Sequence, residues 1–237
     1  MFDTSRLTTA VVVTTIFAGF GYLVRGVTRS GALAGAAVSF ALYWAAGPGA
    51  FLGLVAVFAV TWVATRLGYA RKLKLGTAEK REGRSASQVL ANLGVAGASS
   101  LLYAVTGNAA FLAGLVAALS EAAADTVSSE CGQISGSQAR LITTWRAVPA
   151  GTDGGVSLAG TFAGVAAAAL VALLCWWAGL LPAMAAKFAT GAGCLGMVAD
   201  SYLGATLERR GWLRNNAVNL LSTLIAAIIA VALSSHL

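Results

Sequence analysis

The sequence predicts an all-α fold: a polytopic membrane helix bundle of about eight transmembrane helices, both termini outside. Three observations predict it. Of 237 residues, 58% are hydrophobic and only 11% charged, which no soluble domain of this length matches. The apolar residues fall in continuous runs near the roughly 20 residues that cross a bilayer. They do not alternate as barrel strands do, so the backbone must satisfy itself in helices. The basic residues sit in alternate loops, as a topology signal does. No hydrophilic stretch is long enough for a second folded unit, so residues 1–237 read as one integral membrane domain.

The elements follow in order. The first helix, 7–24, comes after Arg6 without a convincing cleavage site and reads as retained rather than as a signal peptide. The second, 31–46, is short and stops at the tight turn Gly47-Pro48-Gly49. The third, 50–68, runs into a strongly basic loop. The fourth, 87–106, ends at Gly107-Asn108, and the fifth covers 109–129. Pro182 separates the sixth, 155–180, from the seventh, 184–207; the eighth is 215–235.

The loop after the first helix holds Arg25 and Arg29. That after the third holds Arg66, Arg71, Lys72, Lys74, Lys80, Arg81 and Arg84. Arg140 and Arg146 follow the fifth; Arg209, Arg210 and Arg214 follow the seventh. Fourteen of the 16 basic residues thus lie in alternate loops, leaving Arg6 and Lys187 on the other side. This alternation predicts four cytoplasmic loops, and a multi-pass protein of the cell inner (cytoplasmic) membrane. It also explains the net charge of +7 without nucleic acid. Cys131, Cys175 and Cys194 have no CxxC spacing, and the lone His236 is at the C-terminus, so no Cys/His metal site is expected.

The most informative segment is the fifth helix, which carries Glu121, Asp125 and Glu130 near its end. A carboxylate at the centre of a bilayer costs about 3 kcal/mol on insertion scales, and such residues are kept for an ion, a proton or a substrate. Glu121 and Asp125 are one turn apart on one face, continued by Ser128. Gly132 suggests that the helix ends nearby, leaving Glu130 in the loop. On the seventh helix Gly193, Gly196, Asp200 and Gly204 form a stripe of small residues that admits a neighbouring helix. Gln88 and Asn92 open the fourth helix, Asp153 and Ser157 the sixth, and Asn215, Asn216 and Asn219 the eighth. All of these fall at the same membrane surface.

Two like charges a turn apart are unfavourable in low dielectric. Mg2+ would relieve them, taking one or two carboxylates together with substrate phosphates. The plain alternative is that each acid pairs with an arginine or hydrogen-bonds to Ser and Asn. Gly151-Thr152-Asp153-Gly154-Gly155 leads into a helix start, where backbone N–H groups attract phosphate; the same segment is equally a helix cap, and no Walker motif is present. Lys80, Arg81 and Arg84 offer donors to anionic oxygens, or else set orientation and touch anionic lipid.

Several motifs together resemble a widespread family of polytopic membrane proteins, mostly uncharacterised, that includes phytyl-phosphate kinases. They are Gly83-Arg84-Ser85 with Gln88 to Asn92, Glu121 to Thr126 with Ser129-Glu130, Thr152 to Ser157 with Gly160-Thr161, and Asp200-Ser201 with Gly204 to Thr206. The similarity runs over roughly residues 20–235. Leu93 departs from it where a second glycine is common. A looser resemblance extends to dolichol and phytol kinases and CDP-lipid synthases.

The resemblance implies an isoprenoid-phosphate kinase that moves a phosphoryl group from a nucleoside triphosphate, CTP or ATP, to a polyprenyl or phytyl monophosphate. It implies Glu121, Asp125 and Asp200 as Mg2+ ligands and Asp125, Asp200 and Arg84 as catalytic. Phosphate and nucleotide contacts are expected from Gln88, Asn92, Glu130, Arg140, Thr152, Asp153, Gly154, Gly155, Ser157, Asn215 and Asn219. Expected partners are the nucleotide, the isoprenoid phosphate and membrane lipids; a homodimer is left open by the sequence. Alternatives are a CDP-lipid synthase-like cytidylyltransferase and a cation- or proton-coupled transporter.

Overall fold

The computed structural model describes residues 4–79 and 81–236; Lys80 lies outside the described residues. Nine α-helices are described: α1 Thr4–Leu23, α2 Arg29–Ala46, α3 Pro48–Arg66, α4 Tyr69–Leu75, α5 Ala86–Thr106, α6 Ala110–Ile134, α7 Leu158–Trp177, α8 Ala183–Leu203 and α9 Asn215–Ser234. Three strands of two or three residues, β1 Ala139–Leu141, β2 Ala147–Val148 and β3 Gly155–Val156, form an antiparallel sheet in the order β2-β1-β3. The eight long helices are those the sequence predicts. Six of them, α1, α3, α5, α6, α7 and α9, are long and apolar enough to cross a membrane. α2 and α8 are of similar length and fall outside that set; α2 carries Arg29, and α8 carries Lys187 and Asp200.

Local chemistry sets the helix ends. Thr28 and Ser157 cap α2 and α7 by accepting backbone N–H groups. Ser85 and Gln88 form a reciprocal capping box at α5. Pro48 stands in the first turn of α3, where its missing N–H is not needed.

α6 is the axis of the bundle. Its apolar window is 89% buried, against 44% or less for the other five candidate spans, and α3, α5, α7, α8 and α9 pack around it. The run Ala-Ala-Ala at 122–124, with Gly114 and Ser120, gives it a thin profile that lets these neighbours approach closely. One end of the bundle gathers the starts of α2, α5, α7 and α9, the ends of α1, α3, α6 and α8, and the sheet. Nearly all the basic residues are at this end.

Three predicted boundaries are corrected. α6 continues to Ile134, so Glu130 is helical and Gly132 does not end the helix; a helix with packed neighbours on both flanks tolerates a glycine. The basic loop contains α4. The sixth predicted helix starts at Leu158 rather than 155, because Gly155–Val156 is drawn into the sheet. Ser157 is therefore its N-cap. The seventh predicted helix leaves α-geometry at Gly204 and finishes in a single π-turn, Gly204–Glu208.

Candidate functional site

The three membrane acids converge. Glu121 and Asp125 share a face of α6, and α8 lays Asp200 against them, its carboxyl group within hydrogen-bonding contact of that of Asp125. Ser222 of α9 donates to Asp200 Oδ2 at 3.2 Å and also stands beside Glu121. The glycine stripe makes this approach possible: a Cβ on Gly196 would lie 2.6 Å from Glu121 Cγ and 2.9 Å from the Ser222 carbonyl oxygen. Glu121 is 1% exposed, and its Oε1 has no hydrogen-bond partner among the described residues. A buried polar atom without a partner forfeits about 1–3 kcal/mol.

Positive charge is sparse here. Among the described residues none of the three acids forms a direct salt bridge. Arg84 is the cation facing Asp125, and its Nη2 donates to Thr126 Oγ1 at 3.2 Å. Of the plain alternative, direct arginine pairing is not found among the described residues, whereas hydrogen bonding to serine is, from Ser222 to Asp200.

A polar cleft opens beside the pair. Asp125, Ser128 and Gly132 of α6, the turn from Gly151 to Ser157, Asp200, Ser201, Glu208 and Asn215 line it. The turn is seated by Gly154, whose φ of +72° suits glycine. A Cβ there would lie 2.5 Å from the Ala205 nitrogen, so only glycine brings the turn onto the π-turn. This contact carries Asp153 to Glu208 at the edge of the cleft. Thr152, Asp153, Gly154, Gly155, Ser157 and Asn215, expected as phosphate or nucleotide contacts, line this cleft.

Glu208 belongs to the cleft and was not foreseen. Partial burial pushes its carboxyl group up to about 7, with Asp153 and then Asp125 adding to the rise. Its position eight residues after Asp200 is a helical-face signal, masked in the sequence by the adjoining Arg209-Arg210.

The donor set suits a hard cation. Among the described residues no three His, Cys, Asp or Glu side chains form a ready metal cage. Mg2+ does not require one, since it takes one or two carboxylates and completes its shell with phosphate and water. The Asp125–Asp200 pair supplies two carboxylates, and the unpartnered Oε1 of Glu121 lies beside them.

Other predicted residues go elsewhere. Glu130 is paired with Lys72 at 2.5 Å on another face of α6. Lys72 is fully buried and also donates to the Ala64 and Thr65 carbonyls at the end of α3. Five residues after Asp125, about 140° round the helix, Glu130 faces α4 rather than the cleft. Arg140 donates to the Trp145 carbonyl at 2.8 Å and braces the β1 turn. Gln88 serves the α5 cap and donates to Glu79. Asn219 donates to Asn92 at 3.3 Å, tying α9 to α5. None of these four, nor Asn92, lines the polar cleft.

Known proteins resemble the chain along most of its length. It is 34% identical to an uncharacterized membrane protein of Synechocystis over 82% of this chain and 78% of that protein. It is 32% identical to Protein VTE6, chloroplastic, of Arabidopsis thaliana, over 92% of this chain and 68% of the relative. An uncharacterized membrane protein of Methanocaldococcus jannaschii is 32% identical over 95% and 93% respectively. No solved structure matches the chain. The family model described as integral membrane protein DUF92 matches residues 12–227, and the chain belongs to that family.

Proposed function

We propose that the protein is an isoprenoid-phosphate kinase, transferring the terminal phosphoryl group of a nucleoside triphosphate, CTP in the first instance, to a polyprenyl or phytyl monophosphate. The observation that carries the reading is the Asp125–Asp200 contact beneath the Gly151–Gly155 turn. Motifs shared with a family that includes phytyl-phosphate kinases add the substrate class.

Phosphoryl transfer asks a protein mainly to position two anions and neutralise charge. An oxygen of the lipid phosphate attacks the terminal phosphorus, the bond to the bridging oxygen breaks, and a nucleoside diphosphate leaves. Asp125 and Asp200, with Glu121 behind them, would hold Mg2+, which when bound draws charge off the phosphate oxygens. The Gly151–Gly155 turn lines the same cleft; Thr152 N and Gly155 N are spent on the Pro149 and Thr152 carbonyls, and the turn's other amides would suit the remaining phosphate oxygens. Arg84, between Asp125 and Thr126, suits the transferring group. No nucleophilic side chain is required, because the acceptor supplies the nucleophile.

The test is purified protein with phytyl monophosphate, Mg2+, and CTP or ATP. Phytyl diphosphate and a nucleoside diphosphate are expected. Pyrophosphate with a CDP-lipid would instead make the protein a cytidylyltransferase, and no product with any nucleotide would reject both.

A further inference from the structure

A second cavity, of about 360 Å3, lies between α1, α3, α5 and α6, on a different flank of α6 from the polar cleft. Its wall is apolar, with Phe17, Leu54 and Phe58 prominent. Its mouth carries four arginines, Arg25, Arg66, Arg81 and Arg84, against one carboxylate, Glu79, which accepts a hydrogen bond from Gln88.

The fold builds this mouth. A parallel bridge between Val27 and Arg84 joins the α1–α2 turn to the segment before α5; Arg84 N donates to the Gly26 carbonyl and Thr28 N to the Arg84 carbonyl, both at 3.0 Å. Gly83, at φ +87°, permits it: a Cβ would lie 2.5 Å from Val27 N. Arg25 has a φ of +53°, uncommon for a side chain of its size and set here by the tight α1–α2 turn. Arg66 lies 4.1 Å above the Trp62 ring and donates to the Val24 carbonyl, which fixes its head at the rim.

The two sites lie on different flanks of α6 and share no lining residue. Ala122 lines the cavity and Thr126 receives Arg84, whereas Glu121 and Asp125, one residue earlier and about 100° round, face Asp200 on α8. Arg84 lines the cavity and is also the cation facing Asp125. A cavity for a neutral apolar molecule needs no arginines, and a site for free phosphate needs no apolar chamber. Charge and shape together call for an amphiphile with one tail and an anionic head.

We infer that this cavity is the acceptor site, with the phosphate of a single-chain lipid monophosphate held by Arg25 and Arg84 and the first units of its tail lying between Phe17, Leu54 and Phe58. The volume is at the small end of ligand pockets, so recognition ends a few units along the tail. The inference rests on the kinase reading for the identity of the lipid, but binding tests it separately.

The experiment is native mass spectrometry of the full chain in detergent, without nucleotide. The probes are phytyl monophosphate, phytol, inorganic phosphate and phosphatidylglycerol. Phytyl monophosphate is expected to bind in preference to the other three. Arg25→Gln and Arg84→Gln are each expected to weaken it by about tenfold or more, and Leu54→Trp to abolish it. Equal retention of phytyl monophosphate in both arginine variants would overturn the assignment even if Leu54→Trp fails to fold. Phosphatidylglycerol displacing phytyl monophosphate would overturn it in favour of a structural lipid. Binding as expected but no diphosphate with any nucleotide leaves the cavity standing and removes the kinase reading. Turnover with binding unchanged in every variant does the reverse.

Discussion

Asp125 on α6 and Asp200 on α8 bring their carboxyl groups into contact, although 75 residues separate them in the chain. Two acids in apolar surroundings repel unless something positive or a proton stands between them. On the kinase reading proposed above, Mg2+ would stand there. Asp125→Asn and Asp200→Asn should each lower kcat by at least about 100-fold, the scale of removing one charge-stabilising group. The melting temperature in detergent should hold or rise as repulsion falls. Near-wild-type turnover in either variant contradicts the assignment.

Glu121 sits behind the pair with one oxygen unpartnered. Glu121→Gln should keep the shape of the side chain and remove its charge. Supporting groups around a metal typically change affinity by about 10–100-fold, so the Mg2+ concentration for half-maximal activity should rise by about tenfold, with kcat less affected. A magnesium titration of both proteins checks this.

Lys72 and Glu130 form a buried pair. Breaking such a pair from one side costs about 3–5 kcal/mol, while removing both charges is far milder. Lys72→Met should depress the unfolding midpoint strongly, and Lys72→Met with Glu130→Leu should recover most of it. The double variant should retain activity, because Glu130 lies away from the cleft. Inactivity of a well-folded double variant would return Glu130 to the site.

Glu208 titrates near 7, raised by burial and then by Asp153 and Asp125. Its folded value exceeds the ordinary carboxylate value of 4.5, so its contribution to stability is full below about 4.5 and is lost as pH rises through about 7. In chelator, the wild-type melting temperature should fall between pH 6 and 8 by more than that of Glu208→Gln. Parallel profiles would show that Glu208 does not titrate in this window.

The eight long helices were legible because apolar runs of span length and alternating basic loops are local signals. The Glu121–Asp125 face was legible from spacing alone, and Asp200 from its glycine stripe. What the sequence hid was tertiary. The partner of Glu130 is Lys72, from a seven-residue helix buried in a run of basic residues that reads as topology. The sheet strands are too short for an alternating pattern to register. Arg25 and Arg84 are 59 positions apart and line one cavity because Val27 and Arg84 are joined by a single backbone bridge, which no periodicity announces. The apolar cavity draws its walls from four helices, and side chains lining a cavity look like any core.

The most direct test of the central claim is stoichiometry. Wild-type protein given phytyl monophosphate, CTP and Mg2+ should release CDP and phytyl diphosphate in equal amounts, resolved by phosphorus NMR, and Asp200→Asn should release neither. Pyrophosphate in place of CDP, or undiminished product from Asp200→Asn, would contradict it.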